Sequence, residues 1–512
     1  MEDWVRAWLE EQRRKGEKYL EIKYIQNKPY VYRSTSVYDK TTKSPKKVST
    51  YLGRLTKEAG LIPKGSRGSR PLHSFRTVRE YGNAALMTEE FTDLLPVLQD
   101  AFPDYWQELV VLTFTRVTGY TPLSRVADAW EKLDNILDIK PDCDPRTLSR
   151  VLTAVGGDRT AQQMVFQYLS SRAQHLVYDL SFVFSCSDTV NLAEFGYNAD
   201  DIWLPQVNIA LFSATDTGLP VMIRGLPGSV RDVATLVRSL AEIDAPGATL
   251  VLDRGFVSEA NENLLRESGL QFVLPQRRNS TRYETRIHLT DHFFYHKRLI
   301  HAGKREVDGV TLYLYEDVDL VAEEEKTLYR LLEEGVIDRE TLNKRLKRAG
   351  RILIVSSLAA EPREVYDLYK SRSLVEEHFA VFKSLIQAYK LYLRDATAVF
   401  GHVFVGFLCL YLYCRILNRI KKAGMTAHLS PHGLLLKLSK VYAVRSGEER
   451  AITEVPKQVR KIAERLELNI FPNEPIKSTI WLINSSLFSG SMRASGAPCQ
   501  FIWFLPEIYQ VC

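Results

Sequence analysis

The chain has 512 residues, 45% hydrophobic and 25% charged. These are ordinary values for a globular protein of about two to four domains, and they exclude collagen, general disorder and a disulfide-stapled miniature. The net charge of +6 hides an asymmetry: Gln12 to Arg79 holds 18 Lys/Arg against 4 Asp/Glu, a net +14, which leaves about −8 for the rest. A basic lead block ahead of a mildly acidic body indicates a polyanion-binding module joined to something else.

Residues 1–18 predict a short charged helix. The acidic start Met1-Glu2-Asp3-Trp4 has no apolar run and is not a signal peptide. The six cysteines form no C-x-x-C pair, which argues against a zinc site or a disulfide framework and for a reducing cytosol. Residues 19–39 alternate Tyr, Val and Ile with polar residues and break at Asn27-Lys28-Pro29, a hairpin pattern. Lys40 to Lys47 reads as a basic, Ser/Thr-rich loop, and KVSTYLGRL as a further strand. Basic residues interleaved with tyrosines suit phosphate contacts combined with stacking; the plainer alternative is the solvated face of a small sheet. Pro63 to Pro71 has the composition of a linker.

Residues 87–174 read as mostly helical, with Trp106–Val117 as one example. A second begins at Asp144, a plausible N-cap ahead of Pro145. At His175 the period changes. LVYDLSFVF, VNIALFSAT and LPVMIRGLP read as strands, the last two separated by the hairpin signal Asp216-Thr217-Gly218. A helix over Asp232–Ile243, the strand ATLVLD, a helix over Ser258–Ser268 and the strand QFVLPQ follow. Three strands followed by alternating helix and strand predict a mixed α/β sheet.

Arg277 to Gly350 interrupts this rhythm with the strand candidates FFYHKRLIHA and TLYLYEDVDL and a charged helical hairpin, and reads as an insertion. RILIVSS returns to a buried strand. A long helix is then expected from Pro362 to about Tyr389, and an apolar one over 398–420. Val403 to Cys414 is unbroken apolar or glycine, yet short for a bilayer span of about 20 residues. His402 and Arg415 interrupt the wider stretch 398–416, so a buried core helix is expected and no membrane contact. The expected organisation is a basic module (1–80), a helical region (87–174), a core in two parts (175–276 and 351–420) around the insertion (277–350), and a C-terminal region (421–512). His292, His296 and His301 lie close together but lack the spacing of a zinc set. No G-x4-G-K-S/T motif exists, so no ATP site is implied.

Two carboxylates stand out. Asp179 lies inside a strand pattern, and Asp253 ends the strand Leu250-Val251-Leu252, just before Arg254-Gly255. A carboxylate at a strand end beside a glycine turn is well placed to face an open site; taken alone, either is as well explained as a turn or cap residue. On a continuous helix, Tyr369, Arg372, Glu376 and Lys383 fall within about 60° of one another. The apolar stripe of Leu368, Val375, Phe379, Phe382 and Ile386 adjoins them. That suits a helix bordering an active site, or a surface ladder with Arg372 and Glu376 paired at i,i+4.

Those four residues match at every position the Y-x2-R-x3-E-x6-K signature of bacterial insertion-sequence DDE transposases. YDLSFVFS, QVNIALFS, GLPVMIRGLPGSVRDVATL and LVLDRGF resemble the same group, over about residues 170–420. The resemblance implies an RNase H-like core with Asp179, Asp253 and Glu376 as a catalytic, metal-binding triad. It implies two Mg²⁺ ions, with Mn²⁺ able to substitute, and DNA contacts from Tyr369, Arg372 and Lys383. It further implies terminal inverted repeats and target DNA as double-stranded partners, a homodimer at work, and action at the bacterial nucleoid in the cytoplasm. The chemistry agrees: in-line displacement at a phosphodiester needs an activated nucleophile and a stabilised leaving oxygen, which two hard cations on carboxylates supply. Asp188 is a rival for the first Asp, since Asp-Thr follows the same strand in relatives. The helical hairpin departs from the family's mostly β insertion, and residues 471–512 do not resemble its usual ending. A catalytically silent DNA-binding regulator is the alternative reading; the complete set of acidic and signature residues argues against it.

Overall fold

The computed structural model describes residues 2–25, 28–39, 44–57, 60–64, 77–119, 121–185, 193–195, 204–229, 236, 239–240, 242–245, 247–267, 269–385, 390–391, 395–446 and 449–471. Asp188, nearly all of the expected linker, most of the helix expected over Asp232–Ile243 and the tail from 472 lie outside them. The chain forms two compact units. The first is the N-terminal segment to Thr77 with Val444–Arg450; the second is Val78–Ala443 with the segment from Ala451.

In the first unit, helix α1 (Asp3–Arg14) packs on a four-stranded antiparallel meander. Its strands are β1 (Leu20–Ile25), β2 (Lys28–Asp39), β3 (Ser44–Thr56) and β4 (Gly60–Pro63), in that order. Two expectations shift here. Lys28 and Pro29 belong to β2, paired with Ile25 and Tyr24, and Ser44–Lys47 is strand rather than loop, because it pairs with the end of β2. Val5, Val31 and Leu55 form the buried centre, with Trp4, Trp8, Leu20, Ile22 and Leu52 around it. A bulge between Val31 and Tyr32 pairs Val31 with Gly53 but Tyr32 with Tyr51. That slip gathers Tyr51 with Tyr30 and Tyr32, at ring separations of 5.9 and 5.2 Å. Lys23 lies 4.5 Å above the Tyr32 ring.

In the second unit, helices α2 (Tyr81–Phe91), α3 (Leu95–Ala101), α4 (Trp106–Thr118), α5 (Val126–Lys132), α6 (Pro145–Gly157) and α7 (Arg159–Ser170) precede the sheet. Asp144 caps α6 by accepting from the amides of Arg146 and Thr147, and Pro145 loses nothing by lacking an N–H in the first turn. The sheet core comprises β5 (His175–Ser185), β6 (Pro205–Ala214), β7 (Leu219–Pro227), β8 (Thr249–Val251) and β9 (Gln271–Pro275). Their spatial order is β7-β6-β5-β8-β9. β6 runs antiparallel to β5 and β7, whereas β8 is parallel to β5 and to β9. This 3-2-1-4-5 order is the RNase H-like arrangement in a mixed α/β fold.

The insertion supplies β10 (Asp291–Tyr295), β11 (Arg298–Val307) and β12 (Val310–Asp317), then the helical hairpin α9 (Val318–Glu333) and α10 (Arg339–Leu346); α8 (Glu259–Glu267) lies between β8 and β9. The segment FFYHKRLIHA is a tight hairpin, turning at His296 and Lys297 with φ of 46° and 69°, the geometry of a mirror-image turn. The insertion strands continue the main sheet. β13 (Arg351–Ser356) pairs antiparallel with both β12 and β9, so one eleven-stranded sheet runs through core and insertion. Ile352–Val355 are all buried, and pairing on both edges satisfies their backbone groups.

The expected long helix after β13 is two helices, α11 (Pro362–Lys370) and α12 (Ser373–Leu385). Shorter i→i−3 bonds replace α-helical ones at the join: Arg372 N–H to Tyr369 C=O (3.2 Å), Leu374 to Ser371 (3.0 Å) and Val375 to Arg372 (3.1 Å). The Ser371 hydroxyl also donates to the Leu368 carbonyl, at 2.6 Å. The apolar helix α13 (Ala396–Lys422) starts on Asp395, which accepts from Ala398 N–H at 2.9 Å. It is long and apolar enough to cross a membrane, yet 83% of its most apolar window is buried inside the protein. α13 crosses α6 at a pair of glycines. A Cβ on Gly401 would meet the Leu152 carbonyl oxygen at 1.9 Å, and one on Gly156 the Thr397 oxygen at 1.8 Å. Phe404 and Phe407 pack on Phe166 at 6.0 and 5.4 Å, within one continuous core of helices and sheet.

Candidate active site

Asp179 and Asp253 come together through strand register. β5 and β8 are parallel neighbours with Val177 opposite Val251. Asp179 and Asp253 each lie two residues further on, Asp253 just past the end of its strand, which places them on the same side of the sheet, near enough for the charge of Asp253 to act on Asp179. The β5 alternation fixes which face: Tyr178 points into the core against Phe212 and Phe256, at 4.6 and 5.4 Å, and Asp179 points the other way. Asp253 follows the end of β8 at the entry to a short turn over Arg254–Phe256, with no capping bond from its side chain.

Glu376 arrives on the first turn of α12. The anchor of this helix is His378, buried, its Nδ1 hydrogen-bonded to the Ser213 hydroxyl of β6 at 2.8 Å. Burial, with help from Lys421, holds the His378 pKa down at about 4. Arg372, at the break between α11 and α12, joins the two outer carboxylates. Its Nη1 lies 3.1 Å from Asp253 Oδ1 and its Nη2 2.9 Å from Glu376 Oε1. The i,i+4 pair legible in the sequence therefore forms, with a third member from another element. Asp179 accepts from the Leu180 amide at 2.8 Å. Burial raises its pKa to about 6, and the negative charges of Asp253 and Glu376 push the same way; the Leu180 amide and Arg372 pull it down. Three carboxylates thus share one electrostatic environment with one guanidinium.

The other signature residues are more dispersed than a single helix face implies, because the helix is broken. Tyr369, in the last turn of α11, lies in the core with only 9% of its surface exposed. Lys383 lies over the Phe182 ring of β5, 4.4 Å from its centroid, about 10 Å along α12 from Glu376 at 1.5 Å per residue. Sequence reasoning assigned no role to His378, to Arg254 beside Asp253, or to Lys370 beside Tyr369. The first could have been suspected as a histidine on the apolar side of the Glu376 helix. The other two are charged neighbours of motif residues.

The three carboxylates are not gathered into a cage: among the described residues, no group of three or more His, Cys, Asp or Glu is placed to hold an ion. The donor set nevertheless suits a hard divalent cation. All three groups offer carboxylate oxygen, and one guanidinium only partly offsets them.

An RNase H-like sheet with one carboxylate within its central strand, a second just past the end of the parallel neighbour, and a third on the helix that follows the insertion, defines the class. Within it, residues 171–412 match the family described as the transposase DDE domain, so the chain carries a domain of the DDE transposases, a polynucleotidyl-transferase and nuclease type that uses divalent metal ions. No curated protein matches the chain. Among solved structures, a piggyBac transposase synaptic complex with hairpin DNA, determined by cryo-electron microscopy, is a distant likeness. It has 11% identity and a TM-score of 0.40, over 77% of this chain and 86% of that one.

Proposed function

We propose that the protein is the transposase of a bacterial insertion sequence, acting in the cytoplasm at the nucleoid. It binds the terminal inverted repeats of double-stranded DNA, pairs two ends as a homodimer, hydrolyses a phosphodiester at each end and joins the freed 3′-OH to target DNA. The observation that carries this reading is the in-register placement of Asp179 and Asp253 on parallel neighbours, with Arg372 tying Asp253 to Glu376.

In this reading Asp179, Asp253 and Glu376 hold two Mg²⁺ ions, or Mn²⁺ in their place. When bound, such ions supply a deprotonated oxygen nucleophile and stabilise the leaving 3′ oxygen. The protein's own groups do the rest. The fork of Arg372 exchanges carboxylate for phosphate, for which its geometry is equally suited. Ser213 and His378 keep α12 seated so that Glu376 faces the strand ends. Tyr369 and Lys383 flank the same helix pair, and the basic N-terminal unit brings the duplex to the enzyme.

The test is cleavage of a duplex carrying the element's own inverted repeats, taken from the DNA flanking the gene, in Mg²⁺. Asp179→Ala, Asp253→Ala and Glu376→Ala are each expected to abolish cleavage while end binding stays within a few-fold of wild type. Full-rate cleavage by any one variant removes that residue from the triad, and a dead Asp188→Ala beside an active Asp179→Ala moves the first Asp. End binding by a wild-type protein that never cuts would instead identify a silent regulator.

A further inference from the structure

We propose that Arg254 and Lys370 form a phosphodiester-binding site beside Asp253, built from two cations outside the Y-x2-R-x3-E-x6-K signature. The inference rests on the DNA-cutting reading for the identity of the phosphate, and on the structure for the site. Arg254 directly follows Asp253 in the turn after β8. Its Nε is buried and has no hydrogen-bond partner, and its side chain makes no ion pair among the described residues. Lys370 ends α11, directly before the Ser371–Arg372 break. It is half-buried, its Nζ 5.2 Å from the Tyr366 ring centroid and 5.8 Å from those of Tyr295 and Tyr369. It too forms no side-chain hydrogen bond or ion pair among the described residues.

A solvated lysine extends its ammonium into water, whereas Lys370 is held back against aromatic faces. Burial lowers its pKa; Asp317 opposes this, and the positive charges of Arg298, Arg254 and Arg372 add to it. The 3.1 Å ion pair of Arg372 with Asp253 brings the turn carrying Arg254 to the helix end carrying Lys370, so with Arg298 four cations share this corner of the site. Two are matched, Arg298 by Asp317 at 2.9 Å and Arg372 by Asp253 and Glu376. Arg254 and Lys370 are not. The carboxylates that could have neutralised them are already engaged, so the charge balance is completed by an anion from outside. A guanidinium presents a fork to two phosphate oxygens, and an ammonium fixed in an aromatic cage presents a point charge. Together they suit one phosphodiester group of a strand lying across Asp253. Lys383 does not serve this position, because it lies further along α12 over Phe182.

The test uses the full-length protein without metal and a fluorescent 20-base-pair duplex of arbitrary sequence. Affinity is measured over a range of salt for wild type, Arg254→Gln, Lys370→Gln and the double variant. Each phosphate contact contributes about 0.9 to the log–log salt slope. Each single variant is therefore expected to flatten the slope by up to about one unit, and the double by up to about two, with roughly tenfold weaker binding. Chemical footprinting of wild-type protein needs no variant to fold: the duplex should protect Lys370 from an amine acylating reagent and Arg254 from phenylglyoxal. Unchanged slopes, or equal labelling with and without duplex, overturn the site and leave the triad test standing on its own. Protection and flattened slopes in a protein that never cleaves its ends would uphold the site and overturn the transposase reading.

Discussion

The two larger sheets among the described residues manage their faces in opposite ways. The N-terminal meander is antiparallel, has one helix against it and closes on Val5, Val31 and Leu55 alone; an antiparallel sheet tolerates one wet face. Tyr30, Tyr32, Tyr51 and Lys23 cluster there, in a segment whose net charge is +14 over Gln12–Arg79. The main sheet has parallel strands at its centre, which need cover on both faces, and its core extends through α4, α6, α7 and α13. One region is mostly surface, suited to long-range attraction and adaptable contact. The other is mostly interior, suited to holding three carboxylates in fixed relation.

The sharpest way to break that contrast is at the glycine crossing of α6 and α13. Gly401→Val drives a side chain into the Leu152 backbone, which cannot yield as a flexible side chain would. The main unit is expected to lose about 3 kcal/mol or more, read by guanidinium denaturation; a wild-type midpoint would show that the crossing has slack. The next test moves to the other sheet. Residues 1–80 expressed alone are expected to bind duplex DNA and to lose about 10³-fold in affinity between 50 and 200 mM salt, whereas a chain beginning at Val78 loses stable end binding. If the fragment ignores DNA and the shortened chain still finds its ends, recognition belongs to the helices of 87–174.

The smallest effect concerns acid. His402 is buried in α13, its Nδ1 3.5 Å from Arg116 Nη2, and burial together with the positive charge of Arg116 keeps its pKa well below 6.5. Above about pH 6.5 the folded and unfolded forms are both neutral here. Below it only the unfolded chain takes up the proton, so stability falls with pH by up to about 1.4 kcal/mol per unit from this residue. His402→Gln is expected to flatten the fall between pH 6.5 and 5.5, measured as unfolding free energy. An unchanged slope would show that His402 charges freely in the folded protein.

What was legible in the sequence was what depends on neighbours along the chain. The strand pattern around Asp179 and the apolar run ending in Asp253 were both readable, and parallel register did the rest, because both aspartates stand two residues past a paired valine. What was hidden depends on residues far apart. The helical period reads straight through Ser371 and Arg372; only the hydroxyl bond to Leu368 and the pull of Asp253, over 100 residues away, mark the break. The insertion reads as a separate piece, since nothing local says that β13 will bond to both β9 and β12. The hairpin at His296-Lys297 carries no glycine to announce it.

The position of α13 in the chain has a consequence for synthesis. All three carboxylates are translated before Ala396, but the helix that packs on α6 and α7 comes after them. A polypeptide released before that point would possess the complete acidic set and an open apolar surface where Phe166 and Leu152 await partners. It would aggregate or be degraded and would not persist as a folded protein. Frameshifts and early stops between Glu376 and Ala396 would therefore behave as complete losses of function, and under the proposed function chain completion becomes a checkpoint on DNA cleavage.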